Sequence, residues 1–388
     1  MAWWPTGTRC ADEKVLLIEG FPGPGETSFL PSGILDPRDD REEVRAWLAL
    51  QSALHLDPVR ASQLLERTPD PVAAMRAAGR SIRLHAASLQ GQQEVLAKLG
   101  ALVLPLPAPG YPETLRVLAD APPVLLVRGA PAALLGRAVA IVGARAPSVY
   151  GLQVARDLAG ALARAGVVVV SGLARGVDAA AHRGALEAGG LTVAFSACGP
   201  DRIYPAEHAS LADAISACGA VVTEMPVGTP PLPHYFPLRN RLIAGLAELV
   251  VVVEGRLRSG SLITARRALE QGRDVMAVPG PIQAPTSQGP NRLLREGASP
   301  VTRVEDVFET LALPVPGPAP AAAGSGSAAS PLARRILESL QRNPCTRDEL
   351  SARLQQPAGP LALALTELEL AGQVARDRDG RLRVLGQP

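Results

Sequence analysis

The stretch Phe236-Pro237-Leu238-Arg239-Asn240-Arg241-Leu242-Ile243-Ala244-Gly245 sets two arginines and an asparagine at the mouth of an apolar segment. That segment leads into Leu249-Val250-Val251-Val252-Val253-Glu254, a Val-rich run that fits a strand buried on both faces. A second polar cluster follows, Arg256-Leu257-Arg258-Ser259-Gly260-Ser261-Leu262-Ile263-Thr264-Ala265, just before a new helix. Free N–H groups at a helix start, joined by guanidinium forks, make an anion site. The sheet end carrying both stretches is therefore expected to hold phosphates.

Outward from this point, short apolar runs alternate with helical stretches. Strands are expected at 138–142, 167–170, 192–197, 220–223, 249–253 and 274–278, with helices at 150–165, 177–188, 206–217 and 262–271. This pattern predicts an α/β fold: a Rossmann-like, doubly wound, mostly parallel sheet covered on both faces. Ligands of such sheets bind beyond the carboxyl ends of the strands, where Gly143, Gly172, Glu224 and Glu254 fall.

Gly143-Ala144-Arg145 ends the first of these strands as a tight turn with free N–H groups. The full glycine fingerprint and the acidic residue that would hold a ribose are missing, which disfavours a dinucleotide cofactor; no cofactor is expected. Arg145 is a candidate phosphate ligand, with a surface ion pair as the alternative. Ser171-Gly172-Leu173-Ala174-Arg175-Gly176 repeats the device after the second strand, with Arg175 supplying charge. Asp178 and His182 stand four apart on one helix face, spaced for a general acid/base pair. No nucleophile or metal-ligand set accompanies them, so a structural role, capping by Asp178 and loop shaping by His182, is preferred. Phe236 is placed in a strand-end loop beside the arginines, either as a platform for an unstacked base or as core. For Glu224 and Glu254 two roles stay open: orienting arginines, or accepting an exocyclic amine of a base.

The chain has 388 residues, 47% of them hydrophobic, and a formal net charge of only +2, so nucleic-acid binding must come from local clustering. Aromatic residues make up 3%, which excludes an extended stacking surface and leaves phosphate contacts with one stacked base at most. Lys14 and Lys98 are the only lysines, so arginine carries nearly all the positive charge. Cys10, Cys198, Cys218 and Cys345 are scattered and match neither a disulfide framework nor a zinc site. No apolar run approaches a membrane span and no signal-peptide pattern opens the chain, so a cytoplasmic protein without membrane contact is expected.

Residues 1–40 show no sustained period and are expected to be a poorly ordered extension. Residues 41–104 turn helical: Val44, Trp47 and Leu48 mark a first helix, and Asp57-Pro58 and Asp70-Pro71 start two more. The sheet domain is expected over 105–312. A Pro/Ala/Gly/Ser linker spans 313–331 and cannot bury a core. Over 332–388, three helices and a hairpin with an Asp379-Gly380 turn predict a winged helix. Its third helix, 361–370, carries Glu367 and Glu369 and no cation, which argues against insertion into a major groove.

The signature run, followed by Ser259-Gly260-Ser261-Leu262-Ile263-Thr264-Ala265 and Val278-Pro279-Gly280, resembles the DprA/Smf family of DNA-processing proteins of bacterial transformation. Further pieces match in order: Ile141-Val142-Gly143-Ala144-Arg145, Ser171-Gly172-Leu173-Ala174-Arg175-Gly176-Val177-Asp178 with His182, Gly199-Pro200-Asp201-Arg202-Ile203-Tyr204-Pro205, Glu224-Met225-Pro226 and Ser287-Gln288-Gly289-Pro290-Asn291. The resemblance implies a SAM-like or helix-hairpin-helix-like module at 41–104, although His55-Leu56-Asp57-Pro58 lacks the glycines with which a hairpin approaches phosphate. It implies a homodimer that binds and protects single-stranded DNA, helps load the RecA recombinase, and is not an enzyme. The residues expected to meet DNA are Gly143, Arg145, Ser171, Gly172, Arg175, Phe236, Arg239, Asn240, Arg241, Ser259, Gly260, Ser261, Thr264 and Asn291. Asp178, His182, Glu224 and Glu254 are expected to orient them; neither a catalytic residue nor a metal is expected.

The rival is an enzyme. The sheet and its late glycine motif also resemble the LOG-type nucleotide phosphoribohydrolases, whose motif reads P-G-G-x-G-T-x-x-E. The nearest stretch here, from Ser259 on, ends in Arg267 where the catalytic carboxylate would fall, which favours binding without hydrolysis. A duplex-reading transcription factor rests on the winged helix alone, and its acidic third helix weakens it.

Overall fold

Val168-Val169-Val170 and Val250-Val251-Val252 are β-branched and apolar at every position, so they suit a strand with no wet face. Both lie at the centre of the sheet. The structure, a computed structural model, describes residues 33–39, 42–77, 86–314, 331–342, 345–370, 373–376 and 381–384. Two compact units divide the chain, 1–316 and 317–388.

The first unit contains a nine-stranded sheet among its described residues. Its strands are β1 Ala101–Pro105, β2 Val124–Gly129, β3 Ala138–Val142, β4 Val168–Ser171, β5 Thr192–Phe195, β6 Ala220–Thr223, β7 Leu249–Val252, β8 Asp274–Ala277 and β9 Ser299–Pro300. The order is β1-β2-β6-β5-β4-β3-β7-β8-β9. Strands β6 to β9 pair in parallel, whereas β2 runs antiparallel to both β6 and β1. From β3 the chain steps outward through β4, β5 and β6, then returns to lay β7 on the other side of β3. The winding therefore reverses between β3 and β7, which opens a crevice at their carboxyl ends.

The helices are α1 Glu42–Leu54, α2 Pro58–Arg67, α3 Pro71–Ala77, α4 Ala86–Leu99, α5 Glu113–Arg116, α6 Val149–Arg164, α7 Val177–Glu187, α8 Ala209–Cys218, α9 Tyr235–Leu246, α10 Gly260–Glu270, α11 Gln288–Arg295 and α12 Glu305–Thr310. Alternate strand residues serve the two faces. Ala140, Val142, Val250 and Val252 pack with Leu242 and Ile243 of α9 and Ala265 of α10. Val139, Ile141 and Val251 pack with Leu158 and Leu162 of α6, Ala181 of α7 and Phe308 of α12.

Two expectations change. The boundary drawn at residue 104 cuts through β1, and neither β1 nor β2 was foreseen. A five- or six-residue apolar run has no period that separates a strand from a buried helix turn, and burial of β1 against the helices decides it. Trp47, Leu48 and Leu50 of α1 and Leu96 of α4 share one core with Val103 of β1 and Val124 and Leu126 of β2. The helical module is thus a layer on the antiparallel edge of the sheet. The expected disorder of 1–40 does not extend to 33–39: Ile34 and Leu35 are buried, and Leu35 exchanges backbone bonds of 2.9 and 3.0 Å with Val103. The rest of that extension, 1–32 and 40, and most of the linker lie outside the described residues.

In the second unit, α13 Pro331–Arg342, α14 Arg347–Leu354 and α15 Ala358–Leu370 pack with the antiparallel pair β10 Val374–Arg376 and β11 Leu382–Val384. Ile336, Leu350, Leu361, Leu365, Leu368 and Leu382 form its core. Thr346 and Glu349 close a capping box on α14. The Asp379-Gly380 turn lies outside the described residues.

Candidate nucleic-acid interface

The crevice between β3 and β7 is a cleft of about 460 Å³. One side is the end of β3, Val142 to Arg145; another is the start of α10, with Ser259, Gly260, Ser261 and Thr264. The first turns of α9 add Phe236, Pro237, Arg239, Asn240 and Ile243, and Ala174, Asp178, Tyr204, Pro231, Pro233 and Ile263 complete the lining.

Helix α10 meets the cleft with no side-chain cap and no acidic residue in its first turn. Ser259 and Ser261 spend their hydroxyls on each other, 2.6 Å apart. The positive end of the helix is therefore left for a ligand. Asn240 donates to the Gly260 carbonyl (3.2 Å) and ties α9 to this terminus. The neighbouring start of α6 is occupied instead: Ser148 accepts from Gly151 N–H at 3.1 Å, and the Glu254 carboxylate accepts from Ser148 N–H and Oγ at 2.8 and 2.6 Å. Glu254 thereby fixes the β7 end to α6 and does not line the cleft.

Arg239 is buried, yet lines the cleft. Its Nη1 donates to the Phe195 carbonyl at 2.8 Å, and its Nε has no hydrogen-bond partner. Burial lowers its pKa to about 10, with the Asp178 carboxylate acting in the opposite direction, so the guanidinium stays charged at neutral pH. Asp178 accepts from the N–H groups of Gly172 (3.1 Å) and Ala174 (3.4 Å), and burial pushes its pKa up. At the mouth, the Arg145 guanidinium sits 5.3 Å from the centre of the Phe236 ring, and Phe236 meets Tyr204 edge-on at 5.4 Å. Arg145 thus covers one face of Phe236 and Tyr204 stands at its edge, a cation–aromatic row of the kind that receives an unstacked base.

Several expected ligands are elsewhere. Arg241 faces away from the cleft and is buried, with Nη2 2.5 Å from Glu224 Oε2 and Nε 3.3 Å from Asp120 Oδ2. The signature run is a helix, not a loop mouth, and residues two apart on a helix face opposite sides. Phe236 correspondingly belongs to the first turn of α9. Arg175 is exposed and engages Glu207 through two 2.7 Å bonds outside the lining. Asn291 bonds both backbone groups of Gly280, at 2.9 and 3.2 Å, and shapes the loop after β8. Ser171 donates to the Ile141 carbonyl (2.7 Å), and Gly172 packs under Arg239. Thr264 lines the cleft and donates to the Gly260 carbonyl at 3.4 Å. Glu224 serves Arg241, and burial raises its pKa to about 7. His182 is fully buried, bonds Thr192 Oγ1 through Nδ1 at 2.7 Å, and is held neutral by burial, with a pKa of about 3. It shapes a strand contact, not a loop. Tyr204 was not expected at the site; it stands in the quoted Gly199–Pro205 segment, but only the fold brings it beside Phe236.

Two family models match the chain. The DNA recombination-mediator protein A model covers residues 103–312, which hold the whole cleft, and the DprA winged helix domain covers 318–380. The chain belongs to the DprA/Smf family. It is 38% identical to protein Smf of Escherichia coli (strain K12) over 352 residues, spanning 89% of this chain and 92% of that protein. It is 43% identical to the DNA processing protein DprA of Bacillus subtilis (strain 168) over 213 residues, or 55% of this chain and 72% of that one. The X-ray structure of DprA from Streptococcus pneumoniae superimposes with a TM-score of 0.56 at 35% identity, covering 69% of this chain and 92% of that chain. The second unit is therefore a winged helix of the DprA type. No helix among the described residues is long and apolar enough to cross a membrane.

Proposed function

We propose that this chain binds single-stranded DNA across the cleft between β3 and β7 and performs no chemistry on it. One observation carries the reading: buried Arg239 and the uncapped start of α10 share a cleft with the row Arg145–Phe236–Tyr204. The first pair suits a phosphate and the row suits the face of a base. A duplex keeps its base faces stacked inside and offers only edges and phosphates, so the aromatic row would go unused. Family membership supports a place in transformation, where the strand is protected and RecA is loaded onto it by a homodimer.

The phosphoribohydrolase reading is not favoured. Arg267, at the position of the needed carboxylate, is exposed on α10 and paired with Glu270 at 2.8 Å. A gel shift with one sequence as single strand and as duplex tests the binding claim: the single strand should shift at lower protein concentration. Product analysis after incubation with nucleoside monophosphates tests the second claim, and release of free base would reinstate the enzyme.

A further inference from the structure

Resting on the single-strand reading above, we propose that the unit recognised in the cleft is one nucleoside monophosphate, so that free mononucleotides occupy it and exclude the strand. Ligand cavities run from about 300 to 1,000 Å³. At about 460 Å³ this one lies at the low end, sized for one base with its sugar and phosphate and not for a run of nucleotides. Its polar features are few: the uncapped starts of α9 and α10, one buried guanidinium from Arg239, and one cation–aromatic row. Pro231, Pro233 and Ile263 give the remaining wall an apolar character that suits a ring and a sugar better than further phosphates. Asp178 is the acidic side chain in the lining; two backbone N–H groups and the neighbouring Arg239 guanidinium partly offset its charge.

Phosphate and base are thus bound by separate groups, and neither half of the ligand should bind well alone. Soluble nucleotides would then regulate how readily the strand is held.

Calorimetric titration of the full chain with dTMP, thymidine and inorganic phosphate, in parallel with a thymidine oligomer, tests this. We expect dTMP to bind at one site per chain, at least about tenfold tighter than thymidine or phosphate, and to be excluded by the oligomer. Phe236→Ala should weaken dTMP by at least about fivefold, the low end for a lost base–aromatic stack, and leave phosphate unchanged. Tyr204→Ala, at a more exposed position, repeats the test should the first variant fold poorly. Binding of dTMP no tighter than phosphate, or simultaneous binding of dTMP and oligomer, overturns the proposal. The oligomer titration alone judges the single-strand reading, so the two can fail separately.

Discussion

Gly172 and Arg239 leave each other no room: a Cβ built on Gly172 would stand 1.9 Å from Nη1 of Arg239 and 2.5 Å from its Cζ. The end of β4 is thus open to a guanidinium only because it carries no side chain. Gly172→Ala should displace Arg239 from the cleft, cost about 1–3 kcal/mol through overpacking, and weaken single-strand binding. Urea unfolding and a DNA titration would check it. Wild-type values in both would show that the Arg239 position does not matter.

Arg241 behaves as a structural residue. Arg241→Ala leaves Glu224, 2% exposed, without its partner in the interior. Loss of one member of a buried pair costs about 3–5 kcal/mol. Chemical denaturation should show a loss of this order, partly recovered when Glu224→Gln is added. The folded fraction of Arg241→Ala should bind DNA nearly as the wild type does. A stable variant with lost binding would put Arg241 back in the site.

Most of the sheet was legible in the sequence, and the reason is chemical. Strands such as Ala138–Val142 and Ala220–Thr223 are apolar at nearly every position and bounded by glycine or polar residues. The family motifs then marked the strand ends. What the sequence did not reveal was direction. Nothing in Arg239-Asn240-Arg241 says which arginine meets the ligand until the run is known to be a helix. Nothing near Arg175 announces Glu207, 32 residues later, as its partner. Tyr204 lies 32 residues before Phe236 in sequence, and only the fold puts the rings 5.4 Å apart. The antiparallel strands β1 and β2 were missed because their short apolar runs fit a strand and a helix equally.

Acid should weaken the fold through His182. Its folded pKa, about 3, lies below the ordinary 6.5. Between these values the unfolded chain binds the extra proton, so the contribution is intact above about 6.5 and is lost as pH falls, by up to about 1.4 kcal/mol per pH unit. His182→Asn removes this titration. The stability difference between wild type and variant, followed by urea unfolding, should be flat above pH 7 and shrink below 6.5. A difference independent of pH would mean that His182 is not buried neutral.

The winged helix should be dispensable for the cleft. Leu361, Leu365 and Leu368 are buried in its own core, and the exposed side of α15 carries Glu367. Removing residues from 330 onward should leave the first unit folded by circular dichroism, with single-strand affinity changed by less than about threefold. A tenfold loss would make the module a DNA arm.

The most direct test of the central claim is the salt dependence of affinity for a single strand and its duplex, measured by fluorescence anisotropy. Arg145 and Arg239 line the cleft, and Arg256 and Arg258 are exposed on the loop entering α10. Two to four neutralised phosphates, at roughly 0.7 each on a single strand, give a log–log slope between about −1.4 and −2.8. The single strand should bind tighter at every salt concentration, and Arg145→Ala should flatten the slope by about 0.7. A duplex that binds as tightly, or an affinity that ignores salt, would contradict a phosphate-holding, base-stacking cleft.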